Sequence, residues 1–521
     1  MKKKYKILIF VLIVLFLTKI DYRQNNLGTY NPSDDASYQY HAYTIGLDFD
    51  LDYSNQIIQN TDYKVLGFYE NDEKLIPKHP LGAGILAAPF VFIGSIFNEI
   101  NKIISFTTND TIYFFYSMSS IFYLFLSINL LSKIINKLEY TQSLKPINLF
   151  ILYVGSGVTY YAFERFSMSH IYEVFCATFL IYLTDLTYEL KKSKYYYLVG
   201  FLSFFFITVR WTNYLYLLLP AFYLSIVSKE NRILNFYLNR YYLSGVLTGI
   251  IAFMTHSKIL YDVYTLNPKK IYRNNMSLGF LEKNNLDGYF DFDIFLLFFN
   301  TYINLIFTKE FGLILFSPLL AALIYFYFKL FVNKEFKIFQ ILTLIISIPF
   351  GVIFLWQTTG SSYGFRYLSV LLPIAVLVIY RFSSPKFIQA IYYINIFSIF
   401  AFLKFETNEL TSLREQINSF GVMHRFSAPR YLDGVLQSAF ELDGYLKIFI
   451  TSFLSLIIFK ILISIVGIEF ISDLIDSFGY LNSDVVEFLE YANRFSFTEV
   501  MLLILFYYTL SKKFIFERMK L

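Results

Sequence analysis

Apolar positions along this chain come in long uninterrupted blocks, not in the one-sided stripes that a helix of a soluble protein shows. Examples are the blocks at 7–20, 112–131 and 338–356. A helix of about 20 apolar residues crosses the roughly 30 Å hydrocarbon core of a bilayer. Such a helix also satisfies its own backbone hydrogen bonds, which lipid cannot do. The pattern therefore predicts an all-α polytopic membrane protein.

The charges beside the blocks predict how the chain is threaded. Three lysines, Lys2 to Lys4, precede the first block, and no small-residue cleavage site follows it, so we expect a retained first helix with a cytoplasmic N-terminus. A polar outer loop, 21–79, is then long enough to carry function. Whether the short apolar segment 81–98 crosses the membrane decides on which side every later loop lies. Lysines beyond 132 reach the cytoplasm only if this segment lies along the outer surface or dips in and returns, which is the arrangement we predict.

With that choice the later blocks alternate across the membrane, with 292–307 lying at the outer interface. The spans expected after the first helix are 111–132, 147–162, 171–188, 195–210, 214–227, 241–259, 312–330, 338–355, 367–380, 387–403, 446–467 and 499–511. This gives about 12–13 transmembrane helices with outer-face juxtamembrane helices. We expect one membrane domain at 1–403, followed at 404–521 by an outer loop and C-terminal transmembrane helices. Strict alternation leaves Lys512 and Lys513 outside, so the topology of the last helices conflicts with the charge rule.

Composition agrees with a membrane protein and excludes several kinds of partner and site. Charged residues make up 16% of the chain, against about 25% in a soluble domain. The net charge of +5 comes from short loops, as membrane topology requires, and gives no basis for a nucleic-acid partner. The single cysteine, Cys176, excludes an intramolecular disulfide and a cysteine metal cluster. We expect no cofactor and no metal.

Under this topology the unusual polar residues gather on the outer side. They are Asp34, Asp35, Lys78, His79, Glu164, His170, Arg210, Tyr363 and Arg366. A carboxylate can take a proton from an attacking hydroxyl, and Lys or Arg can hold a phosphate that leaves as an anion. Taken singly, an arginine at a helix end is more often an interface anchor, and an acidic pair in a loop is usually solvated. Their shared face favours function. Alternating Asp48, Asp50 and Asp52 resemble a metal-binding Asp-x-Asp motif, but they also fit a strand or turn, which we prefer.

Four short motifs follow one another along the chain. They are Asp34-Asp35, His79-Pro80-Leu81-Gly82, Val209-Arg210-Trp211 and Gly364-Phe365-Arg366-Tyr367. In this order they resemble the GT-C superfamily of polyprenyl-phosphate-sugar-dependent glycosyltransferases, which includes protein O-mannosyltransferases and the lipid A aminoarabinose transferase. The likeness covers roughly residues 1–400. The chain departs from the family's usual Asp-Glu pair, its His-Pro-Pro-Leu motif and its Val-Lys-Trp motif.

The resemblance implies an inverting transfer of a sugar from a polyprenyl-phosphate donor to a glycan, lipid or protein acceptor. It places the catalytic base on Asp34, leaves the role of Asp35 open and makes Glu164 the best match for a second acidic residue. Donor phosphate would be held by Lys78, Arg210 and Arg366, and His79, His170 and Tyr363 would complete the substrate site. We expect the bacterial cytoplasmic membrane, with the active site facing outward.

Two other functions remain open. A transporter or flippase of lipid-linked sugars should carry polar residues near the bilayer midplane and broken helices. The nearly pure apolar middles of the predicted helices disfavour it. A ligase or polymerase of lipid-linked glycans would use a diphosphate donor and centre on a large late outer loop. The loop at 404–443, with Arg414, His424, Arg425 and Arg430, keeps that alternative open.

Overall fold

The structure of the protein is a computed structural model. The described residues are 34–55, 68–71, 74–77, 79–105, 110–138, 146–158, 161–162, 166–228, 232–267, 313–356, 366–403, 453–481 and 483–494. They are mostly helical, as the apolar blocks predict. The expected segments 5–20, 292–307 and 499–511 lie outside the described residues.

The helices follow the apolar blocks closely. In chain order they are α1 Asp34–Tyr43, α2 Gly82–Ile104, α3 Thr111–Lys137, α4 Pro146–Tyr153, α5 His170–Leu190, α6 Ser193–Phe205, α7 Leu219–Val227, α8 Arg232–Tyr237, α9 Arg240–Tyr261, α10 Leu313–Phe316, α11 Pro318–Val332, α12 Phe336–Trp356, α13 Leu372–Phe382, α14 Pro385–Leu403, α15 Phe453–Val466, α16 Ile468–Ser477 and α17 Ser483–Arg494. Short 3-10 or π turns extend several of them, at Thr44–Asp48, Val154–Val158, Phe206–Val209, Tyr214–Leu218 and Arg366–Leu371. Every span expected between 111 and 403 coincides with helical segments whose ends differ by a few residues.

Three features depart from the expected architecture. The segment expected as a polar loop at 21–79 contains a two-stranded antiparallel hairpin, β1 Phe68–Asn71 and β2 Lys74–Pro77, so the fold is not strictly all-α. The helix expected at 81–98 is longer than the sequence suggests, because α2 continues to Ile104. Beyond α15, two amphipathic helices, α16 and α17, occupy a stretch for which we expected only membrane helices and loop.

Helix α2 lies antiparallel to the first half of α3. The Tyr123 hydroxyl donates to Leu86 O at 2.8 Å, and the Thr111 hydroxyl donates to Gly94 O at 3.1 Å. Because Gly94 already faces the start of α3, the end of α2 extends past that start. The beginning of α2 is fixed by Gly82, where a Cβ would lie 2.5 Å from Val209 N. Glycine here allows the chain after His79 to approach the turn that carries Arg210.

Helix α6 packs closely against α9. It uses the small-residue pattern that lets membrane helices approach backbone to backbone. A Cβ on Gly245 would lie 2.1 Å from Tyr197 O, and one on Gly249 would lie 2.7 Å from Phe201 O. The opposite face of α9 exposes Leu243, Leu247 and Ile251 at four-residue spacing. A buried glycine face and an exposed apolar face suit a helix between protein and lipid.

Three helices among the described residues are long and apolar enough to cross a membrane by length and composition. They are α2, α3 and α9. Shorter apolar helical segments at Ser193–Val209, Tyr214–Val227, Pro318–Val332 and Phe336–Val352 accompany them. The chain is therefore a helical protein with helices suited to a membrane. The total of 12–13 spans, and the placement of α2 on the outer surface, stay predictions.

Candidate functional site

The structure describes four of the predicted site residues with their side chains and brings them to one end of the helix bundle. These are His79, His170, Arg210 and Arg366. Asp34 and Asp35 form the beginning of α1, but their side chains lie outside the described part. Lys78, Glu164 and Tyr363 lie wholly outside the described residues.

A buried carboxylate that the motifs did not single out, Glu173, lies at the centre of the cluster, with 1% of its side chain exposed. Its Oε1 accepts from Ser169 Oγ at 2.7 Å and from Arg210 Nη1 at 3.1 Å. Its Oε2 accepts from Asn213 Nδ2 at 2.9 Å. His170 Nδ1 lies 3.1 Å from Oε1. Four side chains thus converge on one carboxylate, which is how a buried charge is made tolerable.

Local structure explains how these groups meet. Helix α5 begins at His170, so Ser169 is its N-cap and His170 and Glu173 lie in its first turn, where residues three or four apart share a helix face. Arg210 comes after the 3-10 turn Phe206–Val209 in an extended conformation, and Asn213 N donates back to Arg210 O at 3.1 Å. This tight turn places Arg210 and Asn213 on the two oxygens of Glu173.

Two groups, Glu173 and Arg210, lie within hydrogen-bond distance of the same ring nitrogen of His170. Its Nδ1 lies 3.1 Å from Glu173 Oε1 and 3.0 Å from Arg210 Nη1, and one ring nitrogen cannot donate to the first and accept from the second. A carboxylate is the stronger acceptor, so we assign the proton on Nδ1 to the bond with Glu173. Arg210 then remains bound to the same oxygen through Nη1.

Two arginines share one aromatic ring at the edge of this cluster. The guanidinium carbon of Arg210 lies 4.5 Å from the centre of the Tyr367 ring, and that of Arg366 lies 5.1 Å from it. Arg366 Nη2 also donates to the Tyr367 hydroxyl at 3.2 Å. Arg210 Nη1 lies 3.1 Å from the Glu173 carboxylate, and an arginine guanidinium stays charged in proteins.

Residues His79, Pro80 and Leu81 form a short segment, the strap, that contacts two helices. His79 O accepts from His41 Nε2 at 2.8 Å and from the Tyr261 hydroxyl at 3.0 Å. Leu81 N donates to His256 Nε2 at 3.4 Å. The ring of His79 stacks on Tyr38 of α1 with centroids 5.0 Å apart. The strap therefore joins α1 to α9.

His41 holds α1 in place as a neutral imidazole. A carbonyl only accepts, so Nε2 carries the proton donated to His79 O, and Nδ1 accepts from the Tyr53 hydroxyl at 2.7 Å. Burial is the main cause that lowers the pKa of His41 to about 4. Close packing adds to this hold, because a Cβ on Gly84 would lie 2.3 Å from His41 Cβ.

A second polar cluster lies at the opposite end of α5. Lys137 Nζ donates to both oxygens of Asp185 at 2.7 Å and lies 2.6 Å from Glu189 Oε1. The Tyr223 hydroxyl donates to Asp185 Oδ1 at 2.5 Å. This cluster ties α3, α5 and α7 together and contains none of the motif residues.

Sequence reasoning missed several residues of the first cluster, namely Glu173, Asn213, Tyr216, His41 and His256, and it gave Tyr367 no role beyond its place in a motif. Glu173 carried a signal, since an acidic residue inside an apolar segment is a functional candidate by default. The others are joined to the site by contacts across distant parts of the chain, which no local pattern reveals. The alternating aspartates fit the turn that we preferred, because Asp50 Oδ1 accepts from Asp52 N at 3.1 Å and Asp52 Oδ1 accepts from Ser54 N at 3.0 Å.

Comparisons with known proteins neither support nor oppose a family. No family model, no curated protein and no solved structure matches the chain.

Proposed function

We propose that this protein is an inverting glycosyltransferase that moves a sugar from a polyprenyl-phosphate donor to an acceptor at the outer face of a membrane. The observation that carries the proposal is the pair of arginines, Arg210 and Arg366, which both lie against the Tyr367 ring beside the Glu173 cluster. Two guanidinium groups at the ends of apolar helices provide a place for the phosphate of a lipid whose tail remains in the bilayer.

The hydrogen bonds of Arg210 support an anionic ligand. All the hydrogen bonds that Arg210 makes with described residues use Nη1. Its Nε and Nη2 are therefore the atoms that would face a phosphate, while Glu173 and Tyr367 hold the group in place. Guanidinium donors of this kind form charge-assisted hydrogen bonds and stabilise a leaving anion.

The charge of the described cluster favours a monophosphate donor over a diphosphate. Arg210 and Arg366 contribute two positive charges and Glu173 one negative charge, which leaves an excess of one. A sugar linked to a lipid through one phosphate is a phosphodiester with a single negative charge. The ligase alternative, which needs a diphosphate, depends on the loop at 404–443, outside the described residues.

In the proposed reaction, Asp34 accepts the proton of the acceptor hydroxyl as its oxygen bonds to the anomeric carbon of the sugar. The bond from that carbon to the phosphate oxygen breaks on the opposite face, and the lipid phosphate leaves toward Arg210 and Arg366. Asp34 lies one helical turn before Tyr38, which stacks on His79. The start of α1 is thereby held near the strap.

One feature favours the transporter alternative and requires a direct test. Helix α4 ends in a break at Ser156 and Gly157, and Gly157 has φ of 78°. Its polar groups bond within the protein, since the Ser317 hydroxyl donates to Ser156 O at 2.9 Å and the Ser156 hydroxyl lies 3.3 Å from Asn395 Oδ1. The middles of the helices are therefore less purely apolar than the sequence suggests.

The test is binding and transfer by the purified full-length protein with a panel of polyprenyl-phosphate sugars and the matching diphosphates. We expect one phosphate sugar to bind and to lose its sugar to an acceptor, and the diphosphates to bind more weakly. Tighter binding of a diphosphate would favour the ligase. Movement of the lipid-linked sugar across a proteoliposome membrane without transfer would favour the transporter.

A further inference from the structure

We infer that Glu173 is a positioning residue, which fixes Arg210 in the orientation that the donor phosphate requires. This inference rests on the proposed function, which it deepens by assigning a role to a carboxylate that the motifs do not include. Glu173 is not placed to touch the sugar or the phosphate, because it is buried and both of its oxygens are occupied by donors from the protein.

The geometry shows how one carboxylate can control Arg210. The Arg210 side chain is held at two points, through Nη1 on Glu173 at 3.1 Å and through its guanidinium carbon, which lies over the Tyr367 ring at 4.5 Å. One bonded atom and one ring contact restrict the orientation of a guanidinium group. The direction in which Nε and Nη2 point is thereby set before the reaction, so both donors can stabilise the leaving phosphate without reorganising.

Glu173 is in turn held rigidly. Ser169 and Asn213 donate to its two oxygens, and the Tyr216 hydroxyl donates to its backbone oxygen at 3.2 Å. Asn213 Nδ2 also lies 3.2 Å from the Tyr216 hydroxyl. These bonds join the start of α5 to the turn after Arg210. In a purely structural salt bridge, Nε and Nη2 of Arg210 would have no reason to stay outside these hydrogen bonds.

The experiment compares Glu173→Gln with Asp185→Asn, a matched loss of charge at the other end of the same helix. Glu173→Gln is close in size but lacks the charge that holds Arg210. We expect it to lower turnover by about 10- to 100-fold for protein that is still folded, with a smaller change in the KM for the donor. Asp185→Asn should leave turnover per folded molecule unchanged. Equal losses in both variants would overturn the inference.

A double-mutant cycle tests whether Glu173 acts through Arg210. If it does, Glu173→Gln should have no further effect on turnover in a protein that already carries Arg210→Ala. Additive losses would show that Glu173 acts independently of Arg210 and would overturn the inference.

A third measurement does not depend on transfer. An arginine-selective dicarbonyl reagent, followed by mass spectrometry of the peptide that contains Arg210, reports how firmly that side chain is held. We expect faster modification in Glu173→Gln than in the wild type or in Asp185→Asn, and equal rates would overturn the inference. If the wild type transfers no sugar from any donor while the rates differ, the proposed function fails and the hold of Glu173 on Arg210 stands.

Discussion

Helix α5 carries two buried carboxylates, and they have opposite surroundings. Glu173 lies in its first turn and Asp185 twelve residues later, about 18 Å away along the axis. Glu173 pairs with Arg210, beside which Arg366 adds another positive charge. Asp185 pairs with Lys137, which also contacts Glu189. Cations exceed carboxylates in the first cluster, and carboxylates exceed cations in the second.

The contrast gives a criterion for distinguishing a candidate binding site from a structural salt bridge. At the Asp185 end, Lys137 donates to both oxygens of one carboxylate and reaches a second, and Tyr223 completes the arrangement. Those partners satisfy each other. At the Glu173 end, Arg210 keeps Nε and Nη2 outside its hydrogen bonds to described residues, and an aromatic ring orients it. Burial alone would have ranked the two clusters as equals.

The largest effect that we expect comes from Asp34. Asp34→Asn should keep the protein folded and able to bind donor, yet lower turnover by roughly 10²–10⁴-fold, which is the usual contribution of a general base. Loss of a base lowers turnover with little change in donor affinity. The measurement is transfer at saturating donor, with Asp185→Asn as the control at the other end of the bundle.

Asp35→Asn decides whether the base is assigned to the correct residue. We expect it to do less than Asp34→Asn or to act on acceptor binding. Near-normal turnover in Asp34→Asn would show that Asp34 is not the base. A severe loss in Asp35→Asn alone would assign the base to Asp35.

The next largest effect is a loss of stability at acidic pH, which we expect from protonation of His41. The pKa of this side chain is lowered to about 4, below its ordinary 6.5, so the unfolded state binds the proton first. Stability should therefore fall as the pH decreases from 6.5 to 4, by up to about 3 kcal/mol from this residue. His79 and His256 are its titratable neighbours, and Tyr53 donates to it.

Denaturant unfolding in mixed micelles at several pH values measures this effect. His41→Gln, which cannot titrate and can still donate to His79 O, should lose less stability between pH 6.5 and 4 than the wild type does. An identical dependence on pH in the two proteins would contradict the role of His41.

The sequence predicts the helices better than it predicts the site, for a physical reason. A block of apolar residues is a local pattern, so the helix beginning at His170 and the turn at Arg210 could be placed within a few residues. The pairing of Glu173 with Arg210 and Asn213 joins residues about forty positions apart. Only packing determines such a pair. At the break of Ser156 and Gly157, Ser156 contacts Asn395 of α14 and Ser317 just before α11, and these contacts likewise have no local signature.

Arg366 should show a smaller effect, confined to donor binding. Arg366→Ala should weaken donor affinity by about 10- to 100-fold, because a hydrogen bond to a charged group contributes about 1.5–3 kcal/mol. Arg366→Lys should restore part of it, since a lysine supplies the charge without the planar fork. Titration with the donor measures both, and Lys137→Ala serves as the control. Normal donor affinity in Arg366→Ala would make Arg366 an interface anchor.

The smallest effect concerns two tyrosine hydroxyls that occupy equivalent places in the two clusters. Tyr223 donates to Asp185 Oδ1, and Tyr216 donates to Glu173 O while it contacts Asn213. Replacing either by Phe removes a buried hydrogen bond and should lower the free energy of unfolding by about 1 kcal/mol. Only Tyr216→Phe should also lower turnover, because Asn213 supports the carboxylate that orients Arg210. Paired unfolding and transfer measurements decide this, and a loss of turnover in Tyr223→Phe as large as in Tyr216→Phe would mean that both ends of α5 act on the reaction through stability alone.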